Sequence, residues 1–239
     1  MRAETRHSLK EDRFRGATIQ AAEKTAHWTV EHQKTLLIAG VLLLVALAAG
    51  IGGWYYLSQQ DEKASLALNQ ATRTLGTPIG PAVEPGDTAF TSAKERATAA
   101  RKQFQAIVDN YSHTKTADLA RYFVGVTSAT LNDYPAAEKS FGEASHSSNS
   151  DLAALSNLAL ASVYPRDNKD SQAIALYKQL ADHPTNAVSK ATAQLELAGF
   201  YQSKQQPAEA KRLYEQVQKE NPSTEAAQLA AQKLTALNQ

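Results

Sequence analysis

The chain has 239 residues, 43% of them apolar, and a formal net charge of only +1, so no global charge excess points to nucleic acid. Cysteine is absent, which excludes disulfides, thiol catalysis and cysteine-ligated metals. A mean hydropathy of -0.41 with few aromatics and abundant alanine describes a mostly water-compatible helix former, with room for one ordinary domain beside a short apolar segment.

Residues 1–34 form a polar N-terminal segment carrying Arg2, Arg6, Lys10, Arg13, Arg15, Lys24 and Lys34. Ala17 to Gln33 has helical patterning, with Ile19, Trp28 and Val30 on partly apolar faces. Two readings stand side by side: a helix lying on a membrane surface, or a frayed polar tail.

Residues 35–57 are expected to be a transmembrane helix. Leu36 to Leu57 contains no charge, and as a helix it would be roughly 33 Å long, the thickness of a bilayer core. Trp54, Tyr55 and Tyr56 close the segment with rings that prefer the headgroup level, and Lys34 at the other edge can snorkel. Ala46-Leu47-Ala48 has the form of a signal-peptide cleavage site, but the basic region before it is long and the apolar run continues past it. An uncleaved anchor is therefore the expectation. Only Lys63 and Arg73 follow on the far side within reach, so the positive charge favours a cytoplasmic N-terminus and an extracytoplasmic C-terminal domain.

Residues 58–75 read as a helical extension, with Ala64, Leu68, Ala71 and Leu75 at helical spacing. Residues 76–91 then read as a loop, because three prolines and three glycines fall between Gly76 and Gly86.

Residues 92–239 repeat. Ala100-x3-Phe104-x2-Ile107 aligns with Ala137-x3-Phe141-x2-Ala144, Ala173-x3-Tyr177-x2-Leu180 and Ala210-x3-Tyr214-x2-Val217, and the aromatic recurs after 37, 36 and 37 residues. Each segment puts a small residue, an aromatic and a small or aliphatic residue on one helical face. Ahead of the last three lie Val124-Gly125, Leu160-Ala161 and Leu197-Ala198, whose small residues permit close helix approach. Tyr164 and Tyr201 follow three residues later, with Ser128 as the weaker equivalent. Turns rich in Asn, Ser and Thr at 110–114, 147–150, 183–186 and 221–224 offer N-caps, and Pro135 and Pro207 suit first helical turns. The last helix, Thr224 to Leu237, has Gln228, Gln232 and Lys233 available to face water as a terminal cap.

This layout resembles the tetratricopeptide repeat, whose usual period is 34 residues. The resemblance implies an all-α fold: a single N-terminal transmembrane helix followed by an α-solenoid of tetratricopeptide-like helical hairpins. The order of short N-terminus, anchor ending in Gly52-Gly53-Trp54-Tyr55-Tyr56, Ala-rich helix and hairpins is similar to the YfgM family. That similarity implies a non-catalytic scaffold in the bacterial inner membrane, ancillary to the Sec translocon, with the repeat domain in the periplasm. Its implied partners are translocon subunits, a chaperone or an exported polypeptide, with lipid around the anchor. The stretch from Ile107 to Ala117 also looks like repeats of cell-division and outer-membrane-assembly lipoproteins, which implies an envelope-assembly or cell-division adaptor as the alternative.

The first helices of the hairpins are expected to line a partner-binding groove. Tyr122, Leu158 and Leu195 stand at equivalent places, with Ser162 one turn beyond Leu158 and Gln202 two turns beyond Leu195. The competing reading packs these side chains between repeats. No phosphate-binding Gly loop, metal-spaced His pair or nucleophile elbow is present. No catalytic, cofactor or metal residue is therefore assigned, and neither nucleic acid nor a small-molecule substrate is expected. His113, His146 and His183 recur near repeat ends, where a cation favours a helix C-terminus.

Overall fold

The computed structural model describes residues 32–80 and 89–237. Most of the expected N-terminal segment and the centre of the expected Pro/Gly loop lie outside the described residues. Two compact units divide the chain between Tyr56 and Leu57.

The first unit contains the start of α1 (Gln33–Gly76). Its apolar side chains are exposed along the helix, among them Leu44 at 67% and Trp54 at 71%. The helix is long and apolar enough to cross a membrane.

The second unit begins within the same helix. Ala64 and Ala71 are fully buried in one cluster with Phe104 and Ile107 of α2 (Ala93–Asn110) and Ala120 and Val124 of α3 (Lys115–Thr130). Residues 57–76 thus fill the first-helix position of the first hairpin. α1 ends at Gly76, followed by Pro78, which cannot extend it. An isolated bridge then pairs Ile79 with Phe90, and the Gly80 N–H donates to the Phe90 carbonyl at 3.0 Å.

The remaining hairpins are α3 with α4 (Tyr134–Ala144), α5 (Ser150–Val163) with α6 (Asp170–Asp182), and α7 (Lys190–Ser203) with α8 (Pro207–Glu220); α9 (Glu225–Leu237) closes the series. Helix starts follow the cap chemistry. Thr114, Asp133, Asn149 and Ser189 each accept from a backbone N–H of the following turn, and Thr224 does the same for Ala227. One start differs from the sequence expectation. The cap of α7 is Ser189 rather than a residue of 183–186, because Val188 is drawn fully into a cluster with Ala154, Leu180 and Ala193. Thr185 closes the turn before it, its N–H donating to the Val188 carbonyl at 2.9 Å.

The turn inside each hairpin is one motif used three times. Asn132, Asn168 and Gln205 adopt left-handed φ of 60°, 58° and 59°. The next residue's N–H reaches back to a carbonyl five residues earlier, from Asp133 to Ser128, Lys169 to Tyr164 and Gln206 to Tyr201. This is the Schellman bond that satisfies the last carbonyls of a helix.

All twelve positions of the repeat signature are buried, from Ala100, Phe104 and Ile107 to Ala210, Tyr214 and Val217. The aromatic of α4 lies on the small residue of its own first helix. At Gly125 a Cβ would stand 2.6 Å from the Phe141 ring, which no packed carbon tolerates. At the equivalent places Ala161 and Ala198 are fully buried in one cluster with Tyr177 and Tyr214.

This contact makes Gly125→Ala a test of the packing. The substitution gains about 1 kcal/mol of helix propensity, but overpacking costs about 1–3 kcal/mol. A net loss of about 1 kcal/mol is expected in denaturant unfolding of the detergent-solubilised protein. Adding Phe141→Leu should relieve the clash and shrink the cost of the alanine. A stability gain from Gly125→Ala alone would show that the two helices are not held at this separation.

Candidate functional site

The expected groove residues all sit on first helices, and their environments divide them. Tyr122 of α3 is half-buried, tilted against Phe141 at 5.7 Å between ring centroids and edge-on to Phe123 at 5.6 Å. Burial pushes its phenol pKa up. Leu158 of α5 packs against two clusters, one built on Tyr177 and Tyr214 and the other on Val188 and Leu180. Leu195 of α7 packs on the first of these. Ser162 and Gln202 are exposed. The Ser162 hydroxyl donates to the Ala159 carbonyl at 2.6 Å, and the Gln202 side-chain oxygen accepts from the Tyr214 hydroxyl at 3.3 Å. The three apolar positions therefore share faces with the interior, while the two polar ones face outward.

Polar ties connect neighbouring hairpins, and their regularity is not legible from residue types alone. Arg101 pairs with Asp133 at 2.9 Å, and one repeat later Glu138 pairs with Lys169 at 2.6 Å. Each pair joins the residue after the signature alanine to the residue four before the next one, with the charges exchanged. A second series runs along the starts of the first helices. Asp61 accepts from the Thr116 N–H at 3.0 Å, Asp118 from the Ser147 hydroxyl at 3.0 Å and Asp151 from the Ala187 N–H at 3.1 Å.

The charged turn at 166–170 belongs to these junctions. Arg166 lies 5.3 Å from the Tyr134 ring centre, Lys169 holds Glu138, and Asp170 meets Lys204 at 2.7 Å. Of the recurring histidines, His146 sits with Nδ1 2.8 Å from the Gly142 carbonyl at the end of α4, and His183 is the C-cap of α6. Among the described residues no group of three or more His, Asp or Glu could hold a metal ion.

Two creases lie between the repeats. One, of about 670 Å³, separates α2 from α4 above Val124 and Ser128 of α3. The other, of about 530 Å³, follows α4 and is walled by Leu160, Tyr164 and Lys169.

Electrostatics in the C-terminal hairpins is dominated by a buried phenol. Tyr177, 3% exposed, has its pKa pushed up to about 12, first by burial and then by the negative charge of Glu196. The folded state thus keeps the phenol protonated after an unfolded chain, with the ordinary value near 10, has lost the proton. Stability from this group is complete below pH 10 and declines as pH rises toward 12. Tyr177→Phe should lose about 2 kcal/mol less than the unaltered protein across that interval in denaturant titrations. Identical alkaline slopes would show that the phenol is not desolvated.

No curated protein sequence matches the chain. A family model described as a tetratricopeptide repeat-like domain matches residues 26–239, spanning every hairpin, and the chain belongs to that family.

Proposed function

We propose that this protein is a non-catalytic, membrane-anchored scaffold ancillary to the bacterial Sec translocon. In this reading the anchor sits in the inner membrane with the N-terminus in the cytoplasm, and the repeat unit works in the periplasm. The observation that carries the reading is the joining, in one chain, of a helix apolar enough to cross a membrane with a tetratricopeptide-like unit. Stacked hairpins leave long side-chain faces suited to holding other proteins. The flanking charge supports the orientation, with seven basic residues before the anchor and Lys63 and Arg73 after it. The likeness in layout to the YfgM family supports the translocon assignment. Within the anchor helix, lateral contact with translocon helices would use side chains that the chain itself leaves exposed. The repeat unit would hold a periplasmic chaperone or an emerging polypeptide along Tyr122, Leu158, Ser162, Leu195 and Gln202.

Photo-crosslinking tests this directly. A photoreactive residue at Ser162 or Gln202, both exposed, should not disturb packing. In native membranes, adducts to translocon subunits, periplasmic chaperones or exported chains are expected. Adducts to cell-division or outer-membrane-assembly proteins would instead favour the adaptor reading. Cytosolic adducts would overturn the orientation, and a lack of adducts from both positions would overturn the groove.

A further inference from the structure

One outward face of α7 recurs on α9. Thr192, Glu196 and Gly199 stand four and three residues apart, on one side of α7, and Leu229, Lys233 and Ala236 follow on α9, each 37 residues on. The two helices pack alongside each other. All six residues are exposed except half-buried Thr192. Ser162 of α5 precedes Gly199 by 37 residues and is also exposed, so this face continues the one proposed above for partner binding.

Two charges on the face are unpaired. Nearby, Lys190 holds Glu220 at 2.8 Å and Lys204 holds Asp170 at 2.7 Å. Glu196 and Lys233 form no ion pair, with each other or with any described residue. Burial first and the Glu196 charge second push the Tyr177 and Tyr214 phenols up, so this carboxylate borders buried rings, where attraction to a cation is strengthened. Leu229, 43% exposed, is the one large apolar side chain left exposed among residues 91–237. Gly199 lies inside a helix, where glycine is disfavoured, yet a Cβ there would meet nothing within 4 Å. Packing within the chain does not require this glycine, whereas a backbone approaching from outside gains room from it.

We propose that the outward face of α7 and α9 docks an extended segment of a partner polypeptide that presents a basic side chain to Glu196, an acidic side chain to Lys233 and an aliphatic residue to Leu229. Gly199 and Ala236 let its backbone lie close against the helices. Packed helices stand about 8–10 Å apart and three residues of extended chain span about 10 Å, so the two charges of the segment fall about three residues apart. This rests on the scaffold reading of the first-helix faces and names the chemistry of one stretch of them. Crosslinks from Ser162 and Gln202 in native membranes register any occupant, whereas peptide titrations on the purified chain register charge and shape alone, so failure of one reading is distinguishable from failure of the other.

The test uses the full chain in detergent micelles at low salt, with fluorescently labelled Gly-Lys-Ala-Leu-Glu-Gly and Gly-Gln-Ala-Leu-Gln-Gly as probes in anisotropy titrations. The charged peptide should bind about tenfold tighter than its amide counterpart. Glu196→Lys and Lys233→Glu, both at exposed positions, should each weaken the charged peptide by about tenfold or more without lowering Tm. Gly199→Leu, whose side chain enters open space, should weaken both peptides and leave the fold intact. No binding, equal affinity for the two peptides, or a folded Glu196→Lys, Lys233→Glu or Gly199→Leu that binds as the unaltered protein does would each overturn the proposal. So would a concentration-dependent dimer of the unaltered protein that Glu196→Lys abolishes, because a second copy would then occupy this face.

Discussion

The repeat unit depends on one contact, an aromatic ring of a second helix laid on a small residue of the first. Phe141 over Gly125 shows it directly, and Tyr177 and Tyr214 are buried in one cluster with Ala161 and Ala198, the residues at the equivalent places. Burying such a ring contributes about 1.5–3 kcal/mol, and the gain exists only where the facing residue leaves room. The contact sets the separation of the two helices. The capped starts and left-handed turns then set their register. The turn motif recurs at Asn132, Asn168 and Gln205, so the last three hairpins are closed by the same backbone hydrogen bond.

Stacking order has a different physical origin. The ties Arg101–Asp133 and Glu138–Lys169 are partly exposed, and such pairs contribute about 0–1 kcal/mol each. They cannot compete with the rings as a source of stability. Their exchanged charges do discriminate, since shifting a second helix by one repeat would set like charges together at the first junction. The Asp61, Asp118 and Asp151 acceptors act in the same sense, each fixing the start of the following unit from the one before. Burial supplies the energy and polar ties select the neighbour.

The first hairpin departs from its successors in two ways. Its first helix is the later part of α1, so the helix that is apolar enough to cross a membrane also supplies Ala64 and Ala71 to the repeat core. Its junction with the second hairpin has a fully buried serine, Ser128, where later junctions have Tyr164 and Tyr201. Repeat proteins carry their individuality in such departures, because every position obeying the period is already committed to packing.

Much of this architecture was readable from residue order alone. The period of the aromatics, the small residues facing them, the proline starts and the long apolar run each follow from local rules of helix geometry and solvation. The sequence by itself therefore determined an all-helical array of hairpins behind one apolar helix, and named the twelve repeat positions that the fold buries. Three things were decided only by tertiary structure. Val188 is drawn into the core and moves the start of α7 to Ser189, an outcome set by a cavity that other helices create. The charges at 166–170 become junction partners because Tyr134 and Glu138 of the preceding hairpin and Lys204 of the next lie against them. The candidate groove residues divide into half-buried Tyr122, Leu158 and Leu195 and exposed Ser162 and Gln202. Helical spacing places all five on first helices but does not say how deeply a neighbouring helix covers each one. Depth of burial is a property of the assembled stack, and no stretch of the chain carries it alone.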